Sequence, residues 1–325
     1  MDNSVLKRLK NAGLLSEQVQ DLGFVSTGSY ALNKAISGSY NKGIPVGMIT
    51  QFHGESSSAK TVFATHILIE AQKKGYYAIL IDSENAYSSD FAKKLGLNPK
   101  ELIYSAPDTI EDCFSVIEDT ILAIRETDKD TPIVIAYDSI AVSPSKAEFE
   151  ADNYEGNNMQ GAVRAKTTGA CLRKMNPLMR KHKVALVVIN QIRSKVGLVF
   201  GSPDTPAAGG KALDYYIGVN LKTISNKTSD LIKDDNKQVI GIQGRIRNTK
   251  NKVSLPFREC EFRLMFDEGL DPYYGLLDNL TMDGVLEKAG AWFTLVSSGA
   301  KFQKKDAVDN IKNNPEFASI LELLK

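Results

Sequence analysis

The sequence lacks the features that mark several classes of protein. Its 325 residues carry 40 Lys and Arg against 39 Asp and Glu, so the net charge is only +1. A globally basic nucleic-acid binder is therefore excluded, whereas a local basic groove is not. No apolar run approaches the ~20 residues of a membrane span. The amino terminus lacks the apolar stretch of a secretory signal, so we expect a cytoplasmic protein with no membrane partner.

Cysteine is also scarce. Cys113, Cys171 and Cys260 are too few and too widely spaced for a disulfide framework or a CxxC zinc site. Their scarcity indicates a reducing compartment, and we expect these side chains to fill the core. The remaining composition, 42% hydrophobic and 24% charged, is that of an ordinary globular chain. Such a chain is long enough for one large domain plus a small one.

Short apolar strands alternate with amphipathic helices through the first two thirds of the chain. This alternation predicts an α/β fold with a mostly parallel sheet that helices cover on both faces. The residues from 267 onward predict a small α+β module. Strands are expected at 48–52, 76–81, 133–137, 184–189, 215–224, 239–247 and 260–266, with a flexible hairpin tip at 225–238. Helices are expected at 60–72, 110–124, 274–287 and 304–324.

The strongest chemical signal lies between a predicted strand and a predicted helix. Eight residues there fit the phosphate-binding pattern GxxxxGK[ST] except at Ala59, where the pattern has its second glycine. The loop amides would face phosphates, Lys60 would reach the β and γ oxygens, and Thr61 would ligate Mg²⁺. A serine-rich turn with an incidental Lys-Thr pair is the alternative. The candidate ATP-binding residues are Gly54, Glu55, Ser56, Ser57, Ser58, Ala59, Lys60 and Thr61.

Three further polar side chains follow predicted strands that would end beside this loop. Asp138 ends the run Ile-Val-Ile-Ala-Tyr-Asp, an arrangement in which an acid holds Mg²⁺ through water. Glu84 would polarise the water that attacks a γ-phosphate, and Gln191 would sense that phosphate through a hydrogen bond. Because many strands end in a turn residue or a helix cap, each signal is convincing only together with the phosphate loop.

Two other segments suit nucleic acid. The stretch 193–210 mixes basic, apolar, Pro and Gly residues, and such a loop favours single-stranded nucleic acid because cations meet phosphates while apolar side chains contact bases. Lys166, Arg173 and Arg180 have seven-residue spacing and would form one cationic stripe on a helix, although we expect Pro177 to interrupt that helix. A partly buried loop and an ordinary solvated helix face are the alternatives.

In their order along the chain, these motifs resemble those of the bacterial RecA family of DNA recombinases. The similarity extends over nearly the whole chain, through STGSYALNKAI, GESSSAKT, IDSENA, YDSIA, RNTKNKVSLPF and LEKAGAW. The segment NQIRSKVGLVFGSPDTPAAGGKAL is the most diagnostic, because generic phosphate-loop ATPases do not carry it. The resemblance implies a RecA-like ATPase core at 24–266, a short helical polymerisation arm at 1–23 and a small α+β carboxy-terminal domain at 267–325.

The resemblance also assigns roles to individual residues. Lys250 and Lys252 match lysines that reach across a subunit interface to a neighbour's ATP, and they join Lys60, Glu84 and Gln191 as the implied catalytic set. Aromatic residues near the adenine are matched by Phe91 and Phe266. The matches to the DNA-binding helix and loop are Lys166, Arg173, Arg193, Lys195, Val196, Phe200, Gly209, Gly210 and Lys211.

The resemblance implies an ATP-dependent DNA recombinase and DNA-dependent ATPase. Such a protein uses ATP and Mg²⁺, forms helical filaments on single-stranded DNA and pairs that strand with homologous double-stranded DNA. A hexameric helicase of the same superfamily is one alternative, disfavoured because it would lack the NQIR segment and the terminal module. A non-hydrolysing DNA-binding regulator is the other, because a Cβ at Ala59 is poorly tolerated if that position needs positive φ.

Overall fold

The computed structural model describes residues 3–11, 21–151, 158–191, 210–225 and 230–325. Its α-helices are α1 (Asn3–Asn11), α2 (Tyr30–Ser37), α3 (Lys60–Lys73), α4 (Ser89–Leu95), α5 (Ile110–Thr127), α6 (Lys146–Phe149), α7 (Asn158–Lys181), α8 (Gly210–Tyr216), α9 (Leu276–Met282), α10 (Ala307–Asn313) and α11 (Ala318–Leu324). Short 3₁₀ turns lie at Pro99–Glu101, Lys304–Asp306 and Pro315–Phe317. Within these ranges, no helix combines the length and the apolarity that crossing a bilayer requires.

The strands are β1 (Phe24–Val25), β2 (Ile44–Pro45), β3 (Ile49–Gly54), β4 (Tyr77–Asp82), β5 (Leu102–Ser105), β6 (Ile133–Asp138), β7 (Val184–Gln191), β8 (Ile217–Ile224), β9 (Leu231–Lys233), β10 (Val239–Asn251), β11 (Glu259–Met265), β12 (Gly269–Leu270), β13 (Leu286–Ala289), β14 (Trp292–Leu295) and β15 (Lys301–Gln303). The central sheet has the order β5-β4-β6-β7-β3-β8-β10-β11-β12, and β9 pairs with β10. The six strands from β5 to β8 in this order are parallel, and the others are antiparallel. The predicted α/β class is therefore confirmed.

Helices cover both faces of the sheet. One apolar layer joins α2, α3 and α4 to the sheet, and within it the Phe63 ring lies 5.6 Å from Phe52 and 5.1 Å from Phe262. The other layer joins α5, α7 and α8 to the opposite face. Cys113 and Cys260 are buried in these layers, as expected. Because both faces are apolar, the central parallel strands are nearly continuous hydrophobic runs.

Four local expectations were wrong. The helix expected at 274–287 covers only Leu276–Met282, since the left-handed Gly284 (φ 71°) follows it and Leu286 begins β13. The segment expected to be a flexible tip contains β9, which pairs with β10. Pro177 does not end α7, because the carbonyl that loses its partner, that of Arg173, lies on an exposed face of the helix. The last helical stretch is divided into α10 and α11, since Pro315 cannot donate to the preceding turn and Asn314 caps a new one.

A third apolar cluster belongs to the carboxy-terminal module. It contains residues from Leu276 to Leu324 together with Tyr40. Asp283 on the loop after α9 accepts a hydrogen bond from the Tyr40 hydroxyl at 2.7 Å and pairs with Lys34 at 2.6 Å. Burial, followed by this bond to Asp283, raises the pKa of Tyr40 well above its usual value. These contacts tie the module to α2, while the division at 23 and 266 stays a prediction.

His66 makes a second tie between the two parts. It lies on α3, is 9% exposed, and its Nε2 accepts a hydrogen bond from the backbone N–H of Leu270 at 3.0 Å. Burial lowers the pKa of His66 to about 4. The neutral imidazole with its proton on Nδ1 is therefore the form that the fold requires.

We predict that this histidine makes the protein less stable in mild acid. Between pH 6.5 and 4 the unfolded chain protonates His66 while the folded chain does not, so the free energy of unfolding falls as the pH falls. At ~1.4 kcal/mol per pH unit, the free energy of unfolding decreases by about 3 kcal/mol over this pH interval. His66→Gln keeps an acceptor for Leu270 and removes the titration. Urea unfolding at pH 7 and pH 4.5 should show a smaller pH dependence for the variant, and equal dependence would contradict this role.

Candidate nucleotide site and nucleic-acid interface

The carboxyl ends of four parallel strands meet at one edge of the sheet. Gly54 at the end of β3 pairs with Gln191 at the end of β7, and Asp82 of β4 pairs with Asp138 of β6. A cavity of about 560 Å³ opens there, of the size that small-molecule sites have. It is lined by residues 56–62, Glu84, Asp138, Ile189, Gln191, Ser225, Leu231, Ile242, Leu264 and Phe266.

The phosphate loop turns from β3 into α3 through two left-handed residues. Ser57 has φ 64° and Ala59 has φ 68°, a region that costs a residue with a Cβ roughly 1–2 kcal/mol. Ala59 occupies the N-cap position of α3, where its methyl group offers no hydrogen bond to the first turn. The first N–H groups of α3 therefore lack a side-chain cap, and such a helix end favours an anion.

Ser58 anchors the loop to a neighbouring strand. Its Oγ donates to the Glu55 carbonyl at 2.7 Å and lies 2.7 Å from Oγ1 of Thr223, a buried residue of β8. Thr223 pairs in register with Gly54, so the anchor sits directly beside the start of the loop. The sequence motif does not include Thr223, which is distant in the chain.

Lys60 is 6% exposed and has neutral hydrogen-bond partners from its own loop. Its Nζ donates to the Glu55 carbonyl at 2.5 Å and to Ser58 Oγ at 3.4 Å. Burial lowers the pKa of Lys60, against the opposing charges of Asp138, Glu84 and Glu55. A buried ammonium group whose direct hydrogen-bond partners are neutral fits phosphate oxygens, which would replace those partners with charge-assisted bonds.

Thr61 and Asp138 form a hydrogen-bonded pair in which the Thr61 hydroxyl donates to Asp138 Oδ2 at 2.6 Å. Burial raises the pKa of Asp138 to about 6, and the charges of Glu84 and Asp82 add to the rise although Thr61 and Lys60 oppose it. The site is thus crowded with negative charge. Oxygen donors beside unbalanced carboxylates fit Mg²⁺, which takes one or two carboxylates plus substrate phosphates.

Glu84 faces the same cavity and is held by two donors. Ser139 Oγ donates to its Oε1 at 2.6 Å, and Gln191 Nε2 donates to the same oxygen at 3.2 Å. The structure thus brings the predicted Glu84 and Gln191 into direct contact. Ser139 was not among the site residues predicted from the sequence, although it directly follows Asp138 in the segment YDSIA.

The two predicted aromatic residues line different cavities. Phe266 lines the large cavity, whereas Phe91 lines an adjoining one of about 130 Å³ with Tyr87 and Ser88. Thr61 and Asp138 are shared by both. The Tyr87 ring also lies 5.3 Å from that of Tyr104. A planar ligand therefore has an aromatic side chain available in either cavity.

Lys250 and Lys252 lie away from the cavity. Lys250 pairs in register with Asn220, three residues before Thr223 on β8, and the Lys252 backbone N–H donates to the Gly218 carbonyl. At ~3.4 Å per residue these positions are about 10 and 17 Å from the phosphate-loop edge. The Lys250 ammonium donates to the Asp214 carbonyl, and burial followed by the charge of Lys252 lowers the pKa of Lys250.

The cationic stripe lies on the exposed face of α7. Thr168, Leu172, Met175 and Met179 form the buried face, while the side chains of Lys166, Arg173 and Arg180 point away from it. Lys166 and Arg173 have no ion pair with any residue in the described ranges, in contrast to their neighbours on the helix, Arg164 and Lys174.

The predicted DNA-binding loop falls mostly outside the described ranges. Arg193, Lys195, Val196, Phe200 and Gly209 lie outside the described residues. Gly210 and Lys211 begin α8, which packs against α7. The two helices that carry or follow the proposed DNA-binding segments are therefore neighbours on one face of the sheet.

Comparison with known proteins identifies the family. Residues 8–271 match the model of the RecA N-terminal domain. Proteins named Protein RecA are 35% identical in Methylobacterium radiotolerans, over 94% of this chain and 80% of that protein, and 36% identical in Paramagnetospirillum magneticum, over the same shares. The Agrobacterium fabrum protein is 35% identical over 95% of this chain and 80% of its own length. With the phosphate loop and its strand-end carboxylates in register, these matches show that the chain belongs to the RecA family of ATP-dependent DNA recombinases, which are DNA-dependent ATPases.

Proposed function

We propose that this protein polymerises as a helical filament on single-stranded DNA, with ATP and Mg²⁺ bound at the phosphate-loop edge, and pairs that strand with homologous duplex DNA in the cytoplasm. The observation that supports this most is the convergence of Lys60, Glu84, Asp138 and Gln191 on one cavity. Each of these residues was predicted from a separate sequence motif. A nucleoside triphosphate with its Mg²⁺ is the ligand that would contact all four.

In this proposal the phosphate loop and Lys60 bind the β and γ phosphates. The lysine exchanges its neutral partners, the Glu55 carbonyl and Ser58 Oγ, for phosphate oxygens. Thr61 and, through water, Asp138 hold Mg²⁺, which would neutralise charge on the phosphates during transfer. Phe266 in the large cavity and Phe91 in the adjoining one are the candidate contacts to the base.

Glu84 accepts a proton from the attacking water. Ser139 and Gln191 both donate to Oε1 of Glu84, so the carboxylate is held in one orientation before substrate binds. Gln191 can also donate to a γ-phosphate oxygen. The Gln191 amide would donate to Glu84 when the γ-phosphate is absent and to a phosphate oxygen when it is present. Its conformation would therefore depend on the bound nucleotide. Gln191 is the last residue of β7, which leads toward the proposed DNA-binding segment.

We propose that DNA lies along the face that α7 and α8 share. Within the described ranges, Lys166 and Arg173 offer exposed charges without competing ion pairs, and this suits contacts to phosphates. The family resemblance adds Arg193, Lys195, Val196, Phe200, Gly209, Gly210 and Lys211 from the following segment.

Lys250 and Lys252 act on the nucleotide of a neighbouring copy in this proposal. They lie about 10 and 17 Å from the phosphate-loop edge, toward the opposite edge of the sheet, so they are poorly placed to serve their own cavity. Copies that stack head to tail bring the two edges together and form an open helical assembly. ATP between the copies would then join them, and loss of the γ-phosphate would loosen the contact.

We predict opposite effects for Lys60→Ala and Glu84→Gln. The first removes the charge that binds the phosphates, so nucleotide-dependent filaments should vanish. The second keeps the shape but removes the base, so filaments should persist while hydrolysis slows by at least 100-fold. Electron microscopy with single-stranded DNA, alongside a phosphate-release assay, checks both. Parent-like hydrolysis by Lys60→Ala would refute the phosphate-loop assignment.

A mixing experiment tests action between copies. Lys250→Ala alone and Glu84→Gln alone should each lose DNA-stimulated hydrolysis, whereas a mixture should regain part of it. The Glu84→Gln copy supplies Lys250 to a neighbour whose own Glu84 is intact. Lys100→Ala, which changes an exposed lysine remote from the site, is the control and should behave as the parent. If mixtures that demonstrably co-assemble stay inactive, the lysines do not act in trans.

Ala59→Gly separates an impaired site from an adapted one. Glycine adopts φ 68° without strain, so we expect the substitution to relieve on the order of 1 kcal/mol and to tighten nucleotide binding about fivefold. Titration with a fluorescent ATP analogue measures this directly. Unchanged affinity and turnover would mean that the loop has adapted fully to alanine, and a dead parent enzyme restored by glycine would support the non-hydrolysing alternative.

A further inference from the structure

Three carboxamide side chains form a row across adjacent strands of the central sheet. Asn190 Nδ2 on β7 donates to Gln51 Oε1 on β3 at 3.3 Å, and Gln51 Nε2 donates to Asn220 Oδ1 on β8 at 3.0 Å. Asn190 is 0% and Gln51 1% exposed. We call these three residues the amide row. Gln51 and Asn220 lie outside the motifs that identified the nucleotide site, and Asn190 directly precedes Gln191 in the NQIR segment.

One backbone group sets the direction of the whole row. The N–H of Gln191 donates to Asn190 Oδ1 at 2.9 Å. Because a backbone N–H can only donate, Asn190 must turn its oxygen toward it and its amino group toward Gln51. Gln51 must then present its oxygen to Asn190 and its amino group to Asn220. The orientation of each amide is therefore determined by the hydrogen bonds themselves.

The amide row lies on the face of the sheet that α5, α7 and α8 cover, along which we propose that DNA binds. Side chains alternate between the faces of a strand, so Gln51 shares a face with Ile49 and Asn190 shares one with Val188. Ile49 and Val188 pack in the apolar layer of α5, α7 and α8. At its far end the row reaches β10, because the Thr249 hydroxyl donates to the Asn220 carbonyl at 3.2 Å. The row thus joins the strand of Gln191 to the strand of Lys250.

We infer that the amide row fixes the backbone at Gln191, and that Gln51 is a positioning residue for the coupling between nucleotide and DNA binding. The inference rests on the proposed role of Gln191 at the γ-phosphate. A buried amide that loses its partner is costly, so the row has one satisfied arrangement and holds the end of β7 still. When the Gln191 side chain exchanges its hydrogen-bond partner, the backbone of β7 before it stays in place. The resulting movement of the chain is therefore confined to the residues that follow Gln191.

The coupling can be measured as a ratio of two DNA affinities. The dissociation constant for a fluorescent oligothymidine is determined with ADP and with a non-hydrolysable ATP analogue, and the ratio expresses how far nucleotide controls DNA binding. Gln51→Met keeps the length of the side chain and removes both polar atoms. We expect it to reduce the ratio about tenfold, with binding of the ATP analogue in the absence of DNA within twofold of the parent.

Thr50→Val is the matched control. Thr50 adjoins Gln51 on β3, is 0% exposed, and its Oγ1 has no hydrogen-bond partner in the described part of the chain. The substitution therefore removes a buried polar atom from the same strand without breaking the amide row. We expect Thr50→Val to keep the parent ratio, and an equal loss in both variants would refute a specific role for Gln51.

A second pair of variants tests the direction of the row at its far end. Asn220→Asp keeps an oxygen acceptor for Gln51 Nε2, whereas Asn220→Leu removes it. We expect the aspartate variant to retain the ratio and the leucine variant to lose it. Asn220 is only partly buried, so this pair remains informative if Gln51→Met fails to fold. Equal ratios in the two variants would overturn the inference.

Gln191→Ala in the same assay separates the inference from the proposed function. If Gln191→Ala keeps the parent ratio, the proposed role of Gln191 at the γ-phosphate is refuted, and with it the inference that rests on that role. If Gln191→Ala reduces the ratio while Gln51→Met and Asn220→Leu match their controls, the proposed function stands and the role of the amide row in the coupling is refuted. Loss in all three variants, with both controls intact, is the result that we expect.

Discussion

The register of the parallel strands is the constraint on which the site depends. Gly54 meets Gln191 and Asp82 meets Asp138 because β3, β7, β4 and β6 end at the same level of the sheet. A slip by one residue would turn every side chain of a strand to the other face. Apolar layers on both faces oppose such a slip, since nearly all side chains of these strands are buried and a slip would disrupt the packing of both layers. The chemistry at the edge is therefore maintained by packing well below it.

Two charged residues of the site are held in unfavourable surroundings. Burial lowers the pKa of Lys60 and raises that of Asp138 to about 6, so each group resists the charge that its function requires. A phosphate and a divalent cation would relieve both at once. The left-handed Ala59 adds backbone strain at the same turn. Strain and unsatisfied charge at one place, inside an otherwise well-packed domain, are characteristic of a binding site rather than of a structural turn.

The features that could be predicted from the sequence are those with a local pattern, either a run of apolar residues or a fixed spacing between motif residues. Apolar runs located β3, β4, β6 and β7 to within two residues, and the glycine-to-lysine spacing located the phosphate loop. Contacts between distant segments left no local pattern. Ser58 meets Thr223 across 165 residues, and Gln51 meets Asn190 across 139. The interruption predicted at Pro177 was wrong because the cost of a proline inside a helix depends on whether the carbonyl that loses its partner is exposed to water. That exposure is decided by the packing of α7, which the sequence does not show.

A chain with its phosphate loop at one edge of the sheet and Lys250 and Lys252 toward the other has a front and a back. When copies stack front to back, one end of the assembly carries an open nucleotide cavity and the other carries lysines without a phosphate to bind. In the proposed assembly, an arriving copy would therefore meet a different surface at each end, and the two ends would gain and lose subunits at different rates. Directional growth would then follow from the asymmetry of the protomer itself, independent of the polarity of any strand on which it assembles.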